Sequence, residues 1–144
     1  MMIEIREFCT NDILGICKLI NLELGYKVSI EDLKNRIMQM QEESNYNIFI
    51  ALQNNQVVGF IGIQISLAFE ISGKIMRIIA LSISEKYQKQ GIGRKLMQAA
   101  EEYGKMKQVT AVVLNSGLSR EGAHKFYEKQ GFYKKGYSFF KKYT

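Results

Sequence analysis

The period of apolar and polar positions changes repeatedly along the chain. Ile3 and Ile5 alternate with Glu4 and Arg6, which predicts a half-buried strand over Ile3–Phe8. Thr10 or Asn11 can cap a helix in which Ile13, Ile16, Cys17, Ile20 and Leu24 share one face, ended by Gly25-Tyr26. Ser29 and Asp32 resemble a capping pair for a second helix, with Ile30, Leu33, Ile37 and Met40 on its apolar stripe. Three apolar runs follow: Ile48–Leu52, Val57–Leu67 after an Asn54-Asn55 turn, and Ile75–Ile83 after a Ser72-Gly73 turn. Ile92, Leu96, Ala99, Ala100, Tyr103 and Met106 then recur at helical spacing, and Val109–Leu114 is a β-branched strand. A last helix is expected from about Arg120 to Gln130, capped by Ser119 and closed by Gly131. The aromatics of Phe132–Lys142 are spaced like a final hairpin around Gly136.

The order is strand, two helices, an antiparallel three-strand meander, helix, strand, helix, hairpin. That is a mixed α/β domain around one central sheet. The 144 residues contain no proline and no repeat, so residues 1–144 read as a single domain. With 47% hydrophobic and 24% charged residues the chain can bury a core, which excludes a disordered tail or a disulfide mini-protein. No apolar run approaches the roughly 18–20 residues of a membrane span, and MMIEIREF has no signal-peptide pattern. Cys9 and Cys17 suit a reduced, cytoplasmic protein, and one histidine without a Cys/His cluster argues against a metal site.

Charge changes the picture more than composition does. Met1–Glu85 carries seven Lys/Arg against ten Asp/Glu, a balance of −3; Lys86–Thr144 carries thirteen against four, a balance of +9. The second part should attract an anion: nucleic acid, an acidic membrane surface or a phosphorylated small molecule.

Gln88-Lys89-Gln90-Gly91-Ile92-Gly93 lies between an apolar strand and an amphipathic helix. Glycines there let the backbone approach a ligand closely, and the first helical amides have no internal partner. Together with the helix dipole they form an anion site, with Lys86, Lys89, Arg94 and Lys95 nearby. No GKS or GKT makes this a P-loop, and no second parallel βαβ unit with an acidic ribose ligand makes it a dinucleotide-binding loop.

Gln88-x-x-Gly91-x-Gly93 resembles the Q/R-x-x-G-x-G/A signature of the GCN5-related N-acetyltransferase (GNAT) superfamily. Asn115 after a strand, and the later Ala123-x-x-Phe126-Tyr127-x-x-x-Gly131-Phe132, are similar to a second segment of that family at the expected distance. The resemblance covers nearly the whole chain. It implies a mostly antiparallel mixed sheet, flanked by helices and splayed between strands 4 and 5.

It also implies roles. Backbone amides of Gln88, Lys89, Gln90, Gly91, Ile92, Gly93 and Arg94 would hold the pyrophosphate of acetyl-CoA, the co-substrate. Leu81, Ser82 and Ile83 would offer backbone hydrogen bonds to the pantetheine arm as to an added strand. Asn115 resembles a side chain that contacts that arm; its other reading is a turn residue in Asn115-Ser116-Gly117. Tyr127 matches the catalytic tyrosine facing the coenzyme sulfur, while Phe126 reads as core. Many relatives carry an acidic base in the strand before the loop; Ile79 and Ala80 stand at those positions, and Glu70 is the remaining candidate.

The expected activity is transfer of an acetyl group to a primary amine of a small molecule, directly within a ternary complex. The Leu114–Tyr127 pattern, with Phe139-Phe140-Lys141 at its end, also looks like aminoalkylphosphonate or aminoglycoside acetyltransferases. Rival readings are a protein N-terminal or lysine N-acetyltransferase, a coenzyme-binding sensor, and a nucleic-acid-binding module. No nucleic-acid motif supports the last of these, and neither nucleic acid nor a membrane is the expected partner. A homodimer stays open.

Overall fold

The computed structural model describes residues 2–116 and 121–144. Its strands are β1 (Glu4–Glu7), β2 (Tyr46–Gln53), β3 (Gln56–Leu67), β4 (Lys74–Ile83) and β5 (Val109–Leu114). Its α-helices are α1 (Ile13–Glu23), α2 (Ile30–Glu42), α3 (Ile92–Met106) and α4 (Glu121–Lys129). The strands form one mixed sheet in the order β1-β2-β3-β4-β5, antiparallel from β1 to β4 and with β5 parallel to β4. The chain divides into two compact units, Met1–Val113 and Leu114–Thr144.

In the first unit local chemistry explains the turns. Asn54 and Asn55 both adopt positive φ, 51° and 63°, as a two-residue turn matched to strand twist requires. Strand alternation then assigns the faces. Ile50, Leu52 and Phe60 pack with Ile13, Ile16, Cys17 and Leu19 of α1 and with Leu33 and Ile37 of α2. On the opposite face Phe49 meets Tyr103 of α3 edge-on at 5.8 Å, and Leu96, Met97 and Ala100 are buried. Gly104 faces Met76 and Val109 closely enough that a Cβ there would lie 2.9 Å from Val109. α1 lies tightest at Gly15, where a Cβ would fall 2.6 Å from the Val57 Cβ.

The entry to α1 differs from expectation. Neither Thr10 nor Asn11 caps it; a short 3-10 turn, Thr10–Asp12, precedes it, and buried Asp12 accepts the Cys9 amide at 2.8 Å. Arg6 reaches the same carboxylate with two bonds, 2.8 and 3.0 Å. Burial pushes the Asp12 carboxyl up, but the bonds from Arg6 and the Cys9 amide outweigh it and hold the group below its usual 3.8. A depressed folded value contributes stability that is present above the unfolded pKa and lost as pH falls through the folded one. Asp12→Asn should therefore cost about 1–3 kcal/mol at pH 7, the scale of charged hydrogen bonds. Its melting temperature should also fall less steeply than that of the unsubstituted chain on acidification below pH about 4. Parallel acid limbs in a pH series of thermal melts would contradict this.

In the second unit α4 runs over Glu121–Lys129, and Gly131 adopts φ 94°, as a helix-terminating glycine does. Ser119 and Arg120, the expected start, lie outside the described residues. The expected final hairpin is absent: residues 132–144 contain no strand, and Tyr137, Phe139, Phe140 and Tyr143 are exposed. Spacing of aromatics alone does not make a hairpin; it also needs cross-strand partners and a face to bury.

Candidate active site

The connection from β4 to α3 carries the anion-binding signal, and its backbone is built for it. Ser84 donates its amide to Val58 O at 2.8 Å, the last tie to β3. A 3-10 turn, Glu85–Tyr87, follows, closed by Tyr87 N to Ser84 O and Gln88 N to Glu85 O. The side chains of Gln88 and Gln90 donate back to Ile83 O and Lys86 O, so both stiffen the loop from within. Lys89 and Gly91 sit at positive φ, 62° and 82°. Gly91 is the N-cap of α3, no side chain caps that helix end, and Lys95 N to Gly91 O is its first internal bond. The amides of Ile92, Gly93 and Arg94 are thus left for an outside acceptor. A Cβ on Gly91 would meet no described atom within 4 Å, so the described residues leave the space above the cap open. An uncapped helix start beneath open space, beside exposed Lys86, Lys89 and Arg94, fits a diphosphate. Lys95, expected here too, instead lines an open groove of about 600 Å³ with Arg6, Gln98 and Tyr103.

The end of β4 is equally specific. The Ser84–Val58 bond sets the phase of the antiparallel ladder, so Ser82 turns its backbone groups to β3 while Leu81 and Ile83 turn theirs away. Two alternate residues facing the β5 side are what an added extended chain uses. Ser82 departs from the expected trio: its backbone belongs to β3, and its buried hydroxyl has no hydrogen-bond partner among the described residues. Upstream, Gly62 pairs with Ala80 and Ile63 with Ile78, which leaves Ile79 as the extra residue of a β-bulge.

Comparison with known proteins agrees with this geometry. The family model described as "Acetyltransferase (GNAT) family" matches residues 13–132. The aminoalkylphosphonate N-acetyltransferase of Salmonella typhimurium is 26% identical over 126 residues, covering 88% of this chain and 79% of that protein. N-alpha-acetyltransferase 30 of Schizosaccharomyces pombe is 32% identical over 143 residues, covering 96% and 91%. A GNAT family acetyltransferase of Staphylococcus aureus superposes with a TM-score of 0.81 at 27% identity, covering 99% of this chain and all of the other. The chain belongs to the GNAT acetyltransferase family. It is an N-acetyltransferase.

The remaining GNAT positions are less uniform. Asn115 donates its side-chain amide to Ser138 Oγ at 2.8 Å, which ties the end of β5 to the tail within the second unit. Tyr127 is half-buried, with ring centroids 5.5 Å from Phe126 and 6.0 Å from Phe132, both edge-on. Phe126, expected as a buried core residue on another face, is itself half-buried and touches its neighbour's ring. Glu70 is exposed in the β3–β4 turn. The ten residues of β4 separate that turn from the coenzyme loop by about 30 Å. Among the described residues no group of three or more His, Cys, Asp or Glu could hold a metal ion. Among the described residues no helix is long and apolar enough to cross a membrane. Sequence reasoning missed Glu23, whose Oε2 accepts the Glu85 amide at 3.1 Å at the start of the loop.

Proposed function

We propose that this chain transfers an acetyl group from acetyl-CoA to a primary amine of a small molecule, by direct attack in a ternary complex, with residues 1–144 acting as one domain. The uncapped start of α3 under the left-handed Gly91 carries the coenzyme reading. Bound there, acetyl-CoA supplies an activated thioester. Amides from Lys89 to Arg94 bind and orient its diphosphate, the Gln88 amide being held by Glu85 O, and the outward backbone groups of Leu81 with the Ile83 amide align the pantetheine arm. Asn115 contacts that arm once its amide leaves Ser138. The free amine attacks the carbonyl carbon, the C–S bond breaks, and the departing thiolate takes the phenolic proton of Tyr127. The ammonium proton formed on the acceptor passes to water, since Ile79 and Ala80 supply no base, and the Tyr127 phenolate regains its proton from water. The free cysteines Cys9 and Cys17 support cytoplasmic residence.

Similarity to the aminoalkylphosphonate enzyme supports a small acceptor. Similarity to N-alpha-acetyltransferase 30 over 91% of its length favours a second reading, acetylation of a polypeptide amine. Thiol release from acetyl-CoA, measured against matched panels of small primary amines and unstructured peptides, separates the two. Turnover with small amines and none with peptides is expected. Peptide-only turnover would make the second reading the right one.

A further inference from the structure

We infer that Glu23 is a positioning residue for the coenzyme loop: it holds the start of the β4–α3 connection against the end of α1, so that the loop amides present one fixed anion site. The inference rests on the coenzyme reading of that loop.

Glu23 is the last residue of α1, and its carboxylate accepts the Glu85 amide at 3.1 Å across 62 positions of sequence. An acidic side chain at that position faces the negative end of the helix dipole, a location that disfavours it. A second opposing effect is the neighbouring anion site, whose phosphate charges a carboxylate repels. The negative charge is thus unfavourable on both counts, and what remains to recommend the residue is the reach of its oxygen to the Glu85 amide.

That amide is well chosen. Glu85 is the first residue after the last backbone tie to β3, and from there the described bonds of the connection run within it or to the end of β4. Glu23 provides the described contact to a helix outside it. Fixing Glu85 fixes the 3-10 turn it opens, and that turn sets the direction in which Gln88 to Gly91 enter α3. A base role fits poorly, because Glu23 lies at the loop end of β4, four residues beyond the outward-facing Leu81.

Three variants separate reach from charge. Glu23→Gln keeps an acceptor oxygen at the same length and removes the charge. Glu23→Asp keeps the charge and shortens the arm by one methylene. Glu23→Ala removes both. Binding of coenzyme A is measured by calorimetric titration, and exchange of the Glu85 amide by NMR in the free proteins. The Ala and Asp variants should bind coenzyme A about five- to tenfold more weakly, the scale of one hydrogen bond, with faster Glu85 exchange. The Gln variant should bind at least as tightly as the unsubstituted chain, with Glu85 still protected. Ala and Asp variants that bind normally would overturn the proposal, as would a Gln variant as weak as the Ala one. If the unsubstituted chain does not bind coenzyme A, the coenzyme reading itself fails and the proposal falls with it. Normal binding by every variant sinks the proposal alone.

Discussion

Tyr127→Phe is expected to lower turnover by about 10²–10⁴-fold, the range in which general acid catalysis contributes. The substitution removes one hydroxyl and keeps the ring, so the edge-on contacts with Phe126 and Phe132 survive. The bonds that the Tyr127 carbonyl accepts from Gln130 and Phe132 involve only backbone and are also kept. A phenol is a weak acid, but one that can protonate a thiolate as the C–S bond breaks. Because that interaction develops only in the transition state, coenzyme affinity should hardly change while kcat falls. Steady-state kinetics with a saturating acceptor, together with a coenzyme titration, read both quantities. Near-normal kcat would mean that the thiolate leaves unassisted, and lost coenzyme binding would make Tyr127 a binding residue.

Gly91→Val should remove most coenzyme binding. The residue holds φ 82°, a conformation in which a β-branched side chain is a genuine outlier. Holding valine there costs about 1–3 kcal/mol, so the cap either strains or rearranges. A rearranged cap turns the amides of Ile92 to Arg94 away from a common point. Affinity should then fall by at least about 30-fold, equivalent to ~2 kcal/mol. Crowding is not the cause among the described residues, since a Cβ at Gly91 meets none of their atoms within 4 Å. The shift in melting temperature produced by acetyl-CoA checks this, with circular dichroism to establish that the variant is folded. A full thermal shift in a folded variant would remove the loop from the coenzyme site.

Features governed by neighbouring residues were legible in the sequence. Asn54-Asn55, Gly73 and Gly91 all take the positive φ that their turns demand, and the stripes through Ile13, Ile16, Cys17 and through Ile92, Leu96, Ala100 are buried as spaced. Legibility failed where the outcome depends on a distant partner. Neither Thr10 nor Asn11 caps α1, because Arg6 of β1 holds the Asp12 carboxylate back on the Cys9 amide at the head of the preceding 3-10 turn. Ile79 becomes a bulge without any glycine to announce it, since a bulge is a property of two registers and not of one strand. The Glu23–Glu85 bond joins a helix to a loop far along the chain, and only the charge at the wrong helix end hinted at it. In the candidate site the loop was readable from Gly91. The division of labour among Leu81, Ser82 and Ile83 needed the phase set by Val58 and Ser84.

The central claim is that coenzyme phosphates sit on the amides at the start of α3. Titrating coenzyme A into uniformly labelled protein, and following backbone amide resonances, tests it most directly. The largest shifts should fall on Gln88 to Arg94, with smaller ones at Leu81 and Ile83, and added salt should weaken them all. Shifts confined to the groove around Arg6 and Tyr103, or none at all at saturating coenzyme, would contradict it.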